Sequence, residues 1–400
     1  MTLTALLVLT YFGRYSIGRL VYFSLGAILS LGPAELTISK VYYICLLSFF
    51  SLKSLNSLKL EAKTPKIILN RVRNLSLTII LLLFINFLTS VLMNYSLIQI
   101  IRGQTSLFIF LLGIPIAVWS GRNVVTENII DYAVVLGVFS ALSFWFVWSQ
   151  NRGLVDFQSS RFALASEWTA FLCLAIAFTS DKLNRLRSLT YALGSLLVVI
   201  LMIASLTRTN ILLCFWIIVV SILGKSSKLL AMLKFSLLTS VGFLSLAFAA
   251  PGFLSSDAFV RRINESWMKF SSGGFSSSGL GSDASVILRQ TQSKLASDIF
   301  NQNPVFGSGQ LPSGQTFDTI VASLAQYGVV GAILFTIVLY QIFRIAVSPL
   351  NRNIHLALPF FSTLLPASLI YNWIGGRSIW IAFIIILAIS LSQEKRVYPN

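Results

Sequence analysis

The sequence predicts an all-α polytopic membrane protein, with about twelve transmembrane helices and one long, partly helical loop outside the membrane. Three observations predict it. Hydrophobic residues make up 56% of the chain and charged residues only 11%, with a mean hydropathy of +0.82. A soluble domain carries about 25% charge, so this chain cannot cover itself with a polar surface. Apolar stretches close to the ~20 residues that cross a hydrocarbon core recur from one end to the other. Most of the 30 Lys and Arg residues sit in short clusters between those stretches, the pattern by which the positive-inside rule marks cytoplasmic loops.

Taken in order, the apolar stretches place spans at 17–32, 36–52, 75–94, 104–119, 129–149, 161–180, 189–206, 209–223 and 235–253, then at 320–343, 355–372 and 378–392. Residues 2–12 are apolar but brief, an extra short span or an interfacial segment. With this count, five basic groups land on one side together with Arg14 and Arg19. They are Lys53 to Arg73, Lys182 to Arg187, Lys225 to Lys234, Arg344 with Arg352, and Lys395 with Arg396. That side is expected to be cytoplasmic. The chain then divides into a helical body at 1–253, an outer loop at 254–319, and a second helical part with its tail at 320–400. Within the loop, Ser271 to Ser282 is rich in Ser and Gly and predicts flexible chain. Asp283 to Phe300 predicts an amphipathic helix with Val286, Ile287, Leu295, Ile299 and Phe300 on its apolar face, capped by Asp283. Asn303-Pro304 and Gly307-Ser308-Gly309 end it. A loop this long is usually functional.

Several classes are excluded. The net charge of +17 gathers into no single basic face, which argues against nucleic acid as a partner. Cys45, Cys173 and Cys214 lie inside apolar runs and read as small buried hydrophobes. His355 is the only histidine and falls at a span start, so no metal motif is expected, and no cofactor. There is no glycine-rich phosphate cradle and no Ser/His nucleophile pair. The first apolar stretch lacks a small-residue cleavage site, so no removable signal peptide is expected. No repeat of fixed period and no inverted pair of broken helices suggests a carrier.

Charge outside the membrane is what remains. The basic residues there are mostly arginine: Arg102, Arg152, Arg161, Arg208, Arg261, Arg262, Arg289 and Arg377. Positive-inside logic does not ask for them. A guanidinium is a planar, permanently charged fork suited to phosphate and pyrophosphate. Arg102, Arg161, Arg208 and Arg377 fall at span ends, where the competing reading is snorkelling to lipid headgroups. Glu167 lies six residues after Arg161 in an apolar span. Six residues turn a helix by about 600°, so the two do not share a face. An intramembrane carboxylate is paired, protonated or functional. Asp318 opens the span after the loop and reads either as an N-cap or as a second functional acid.

Four stretches, taken together, resemble the O-antigen polymerase and ligase superfamily, often called Wzy-like. Ser205-Leu206-Thr207-Arg208-Thr209 before a span is similar to that family's S-x-[ST]-R. Arg289 through Asn303-Pro304-Val305-Phe306-Gly307-Ser308-Gly309 resembles its arginine, loop helix and NPlfGxG. Leu324-Ala325-Gln326-Tyr327-Gly328-Val329-Val330-Gly331 resembles its la-x-yGliG, and Arg161 to Glu167 its mid-chain arginine and acid. The ligases carry a histidine upstream of the paired glycines. Here that place is Phe317, followed by Asp318, which turns the resemblance towards the polymerases.

The resemblance implies a metal-independent glycosyltransferase of a bacterial inner membrane, with its active face periplasmic. Its substrates would be oligosaccharide repeat units on undecaprenyl pyrophosphate, with a chain-length regulator as a candidate partner. The residues suit that chemistry. Undecaprenyl pyrophosphate leaves readily if positive charge meets its departing oxygen, and the acceptor hydroxyl needs only a carboxylate base. On this reading Arg208, Arg289 and Arg377 bind pyrophosphate with Arg161 in support, and Glu167 or Asp318 is the base. A ligase of the same superfamily, a flippase for an anionic lipid-linked substrate, and a membrane scaffold are the competing expectations.

Overall fold

A computed structural model of the chain describes residues 10, 11, 13, 16–30, 38–60, 66–150, 167–179, 185–204, 208–223, 284–310, 319–347, 354–370 and 377–392. Every regular element among them is helical. In chain order they are α1 (Ser16–Ser30), α2 (Ile38–Leu60), α3 (Lys66–Leu92), α4 (Leu97–Asn123), α5 (Thr126–Gln150), α6 (Glu167–Thr179), α7 (Arg185–Ala204), α8 (Arg208–Leu223), α9 (Ala284–Gln302), α10 (Thr319–Ala346), α11 (Ile354–Ile370) and α12 (Arg377–Ser392). The span expected at 235–253, the apolar segment 2–12 and the loop up to Asp283 lie outside the described residues.

Among the described residues, three helical stretches are long and apolar enough to cross a membrane: Asn70–Leu92, Gly103–Asn123 and Ile320–Ala346. Shorter apolar stretches form the centres of α1, α2, α6, α7, α8, α11 and α12. The helices run beyond the apolar windows. α2 continues to Leu60 and α3 begins at Lys66, so Lys53, Lys59, Arg71 and Arg73 ride on helix rather than on loop as expected. The reason is that Lys, Arg and Leu are all good helix formers. An apolar window marks where lipid ends, and hydrogen bonding continues past it.

Two helices display the solvent most clearly. α3 is inside out relative to a helix in water. Leu77, Ile80, Phe84, Phe87, Leu88 and Val91 are exposed, whereas Asn86, Thr89 and Ser90 are buried. The spacing of the exposed residues draws one apolar stripe along the helix. In water such a stripe would demand cover; in lipid it needs none, and the polar groups turn inward to protein. α12 is the converse. Every residue from Ile379 to Ser392 is buried, because α12 is enclosed by α1, α4, α5, α6 and α10.

Close approach is bought by small residues, as in other membrane bundles. A β-carbon on Gly121 of α4 would stand 2.6 Å from the Ala388 carbonyl oxygen of α12. One on Gly137 of α5 would stand 2.7 Å from the Thr169 carbonyl oxygen of α6. Beside the α4–α12 contact, Phe383 packs edge to face on Phe110 and on Trp380, the latter at 5.8 Å between ring centres, Phe335 packs edge to face on Trp380, and Phe110 lies tilted against Trp380.

Side-chain contacts fix helix directions. α4 runs parallel to α12, since Phe110 meets Trp380 and Gly121 meets Leu391. α5 runs opposite to α6, since Thr169 donates to Ser140 (2.6 Å) and Gly137 lies on Cys173. Thr126, at the start of α5, accepts from Ser392 at the end of α12 (2.9 Å). α7 runs with α5, because Tyr191 donates to Asp131 (2.5 Å) and Arg187 pairs with it at 3.3 Å. α10 runs opposite to α3, as Gln341 meets Thr78 (3.3 Å) and Gly331 lies near Leu82. The starts of α4, α6, α10 and α12 therefore share one end of the bundle with the turn at Tyr95. α8 starts there too, because only residues 205–207 separate it from the end of α7.

The opposite end collects Arg19, Arg71, Arg73, Arg122, Arg187 and Arg344. Arg19 is buried there, donating to Ser54 at 2.8 Å and stacked 3.7 Å over the Trp119 ring, which partly replaces its hydration. Cys173 and Cys214 are buried as expected, but Cys45 is exposed, on a helix whose apolar residues face both protein and surroundings. None of the three forms a disulfide.

Gly121→Val and Gly137→Val are each expected to cost about 1–3 kcal/mol, because the added carbons meet backbone. Leu81→Val, on the exposed stripe, should stay within about 0.5 kcal/mol. Thermal unfolding of the detergent-solubilised protein checks the contrast.

Candidate functional site

α10 is broken near its Tyr95 end. Gly328 has φ 63° and ψ −171°, a region essentially reserved for glycine. An unbroken helix would bond the Ala325 carbonyl to the Val329 N–H and the Gln326 carbonyl to the Val330 N–H. The break opens both bonds and frees two acceptors and two donors. Groups freed within an apolar bundle must be bonded elsewhere.

The segment after α9 supplies all four partners. Ser308 N–H donates to Ala325 (2.9 Å) and Gly309 N–H donates to Gln326 (2.8 Å). Val329 N–H donates to Pro304 (2.9 Å) and Val330 N–H donates to Val305 (3.1 Å). The Ser308 hydroxyl adds bonds to the Gln310 and Ala325 carbonyls. Glycine is required on both sides of this clamp. Gly307 (φ 70°) and Gly309 (φ 74°) lie in the left-handed region. A β-carbon on Gly307 would fall 2.5 Å from the Gln326 carbonyl oxygen, and one on Gly309 would fall 2.7 Å from the Ser90 backbone nitrogen of α3. The two stretches that carry the family resemblance in this region, Asn303–Gly309 and Ala325–Gly331, are thus the two halves of one backbone clamp.

The clamp seats α9. Ala296 packs on Ala322 and Ala325, with Ile299 and Val321 beside them. The helix matches the expected 283–300 closely, but its buried line differs: Leu295 is exposed and the small Ala296 makes the close contact. Alanine permits approach to a helix that the bulkier Leu295 would hold off.

A set of neutral polar side chains lies where the clamp meets α3 and α4. Gly309 lies against Ser90, and the Gln310 amide lies against Gly103 of α4, with its nitrogen 3.3 Å from a β-carbon placed there. Asn86 is one turn below Ser90 on α3, and Gln104 follows Gly103. Asn86, Ser90 and Gln310 are buried. Asn86 Nδ2 and Oδ1, Ser90 Oγ, Gln104 Nε2 and Gln310 Nε2 have no hydrogen-bond partner among the described residues. Each such group costs about 1–3 kcal/mol if it stays unbonded.

The sequence-derived candidates are distributed as follows. Glu167, Arg208 and Arg377 are the first residues of α6, α8 and α12, and α6 packs against both α8 and α12. Arg289 is in α9, which the clamp holds at the same end. Arg161 and Asp318 lie outside the described residues. Sequence reasoning passed over Asn86, Ser90, Gln104 and Gln310. A signal existed for Asn86, a carboxamide in the middle of the apolar run 75–94. Among the described residues no group of three His, Cys, Asp or Glu side chains is placed to hold a metal ion.

No family model matches the chain, and no curated protein is significantly similar to it.

Gly328→Ala is expected to cost about 1–3 kcal/mol through its backbone angle alone, and more because the β-carbon would meet Val305 and Gly307. Limited proteolysis in detergent should then cut near Pro304–Gln310 faster than in the parent protein.

Proposed function

We propose that the protein is a polymerase of lipid-linked oligosaccharide repeat units, a glycosyltransferase of a bacterial inner membrane. The observation that supports the reading best is the clamp. Two motifs that point to the superfamily from sequence alone are bonded to each other, backbone to backbone, on a helix that packs against α12, which begins with Arg377, at the end of the bundle where α8 and α6 begin with Arg208 and Glu167. An arginine in the first turn of a helix opposes the helix dipole, and an anion at that point relieves the conflict. α8 and α12 both start this way. A pyrophosphate between them would satisfy both.

The orientation follows from charge. The end that gathers Arg19, Arg71, Arg73, Arg122, Arg187 and Arg344 is cytoplasmic under the positive-inside rule, which turns the Tyr95 end and α9 to the periplasm. About twelve spans and a periplasmic loop at 254–319 belong to this reading. Arg208, Arg289 and Arg377 hold the pyrophosphates, with Arg161 alongside. Glu167 or Asp318 takes the proton from the acceptor hydroxyl as that oxygen attacks the anomeric carbon. The bond to the pyrophosphate oxygen breaks, and the arginines stabilise the charge left there. The prenyl chain lies along apolar helix faces.

Deleting the gene in its host should abolish the long-chain polysaccharide ladder and leave a single repeat unit. A ligase would instead leave polymer on undecaprenyl pyrophosphate, and an unchanged ladder would favour a flippase or a scaffold. Arg208→Ala and Arg289→Ala should each lower polymer yield by about 100-fold at normal protein level, the scale of losing one preorganised charge contact in the transition state. Of Glu167→Gln and Asp318→Asn, one should abolish the ladder. Full activity in both would remove the carboxylate base from the mechanism.

A further inference from the structure

We propose that Asn86, Ser90, Gln104 and Gln310 form a binding subsite for a neutral, polyhydroxylated group: the sugar of a lipid-linked glycan. The inference rests on the polymerase reading for the lipid link, and on the structure for the recognition chemistry.

The four side chains come from three elements that meet at Gly309 and Gly103. None is charged. Their unpartnered atoms are both donors and acceptors: three amide nitrogens, one amide oxygen and one hydroxyl. Both amide atoms of Asn86 are unpartnered, so the balance holds whichever way that amide is turned. A carboxylate or phosphate only accepts and an ammonium only donates. A sugar ring, whose hydroxyls do both, complements the whole set. Polar groups turned inward within a membrane bundle ordinarily bond a neighbouring helix, and those of Asn86 and Ser90 are turned inward by α3 without such a partner among the described residues, while Phe84, Phe87 and Leu88 face outward. Gln104 is half-buried and Gly103 exposed, which leaves a way in from the Tyr95 end.

Clamp and subsite are coupled. Gln310 is buried against α4 because Ser308 and Gly309 are bonded to Ala325 and Gln326. The glycine motif therefore sets where one of the amides stands.

The test uses the full-length protein in lipid nanodiscs and two probes: lipid-linked repeat unit extracted from the deletion strain, and undecaprenyl pyrophosphate without sugar. The parent protein should bind the glycan-bearing lipid more tightly than the bare carrier. Asn86→Leu and Gln310→Leu should each weaken glycan-lipid binding about tenfold and leave bare-carrier binding unchanged. Both variants should also melt no lower than the parent without ligand, because an apolar isostere removes an unpartnered buried amide. Retention of the glycan preference in both variants would mean that the cluster holds water only, and would overturn the subsite. A lower ligand-free melting temperature would do the same, by revealing an internal structural network. Equal binding of both lipids by the parent would overturn the subsite and leave the polymerase reading standing. Binding of neither lipid would overturn both.

Discussion

A broken helix within an apolar bundle must find partners for the backbone groups it frees, and that constraint organises the end of this protein where the candidate residues gather. Gly328 opens two helical hydrogen bonds, and the segment Pro304–Gly309 returns four. Much else depends on this exchange. It holds α9 against the first half of α10, where three alanines allow contact. It brings Gly309 onto Ser90 of α3 and Gln310 onto Gly103 of α4. One glycine conformation thus ties together four helices and the loop between two of them, using main-chain bonds that no side-chain substitution elsewhere can replace.

The rest of the bundle follows from the solvent. Hydrocarbon gives no drive to bury one apolar side chain rather than another, so apolar character does not decide which helix is inside. Shape does. α12 is central because Gly121 lets α4 close on Ala388, and large aromatics fill the remaining space. Polarity decides the finer orientation. α3 has lipophilic residues all round, and its Asn86, Thr89 and Ser90 determine which face turns to protein.

That is also why some features were legible in the sequence and others were not. Helices α4 to α8 and α10 to α12 fall on the apolar runs wherever the residues are described, because a helix is the form in which an apolar run bonds its own backbone. Faces could not be read in the same way: Cys45 and Cys173 sit in runs of similar composition, yet one is exposed and the other buried. The break at Gly328 was hidden because Tyr327-Gly328-Val329-Val330-Gly331 continues an apolar stretch without a proline or a charge. The loop glycines at Gly307 and Gly309 were legible as punctuation, but their partner was not, since pairing with α10 is a tertiary fact. Charge drew attention to Arg208, Arg289 and Arg377 and away from Asn86 and Gln310, whose importance arises only when burial leaves their amides without partners.

The clamp bears on mechanism as well as on fold. A carrier for a lipid-linked substrate would have to open this end and close the other in every cycle. To do so by separating α9 from α10 it would break four main-chain hydrogen bonds at once. To do so by moving the clamped unit whole, it would slide α3, α4, α9 and α10 together past α12, whose contact with α4 at Gly121 leaves no room for even a methyl group. An enzyme needs neither movement. It needs cations, a base and sugar-binding groups held at fixed separations while a substrate enters from the side, and a rigid end is what makes such preorganisation effective. The same backbone bonds that work against a rocking carrier therefore suit the glycosyl transfer proposed for this end of the bundle.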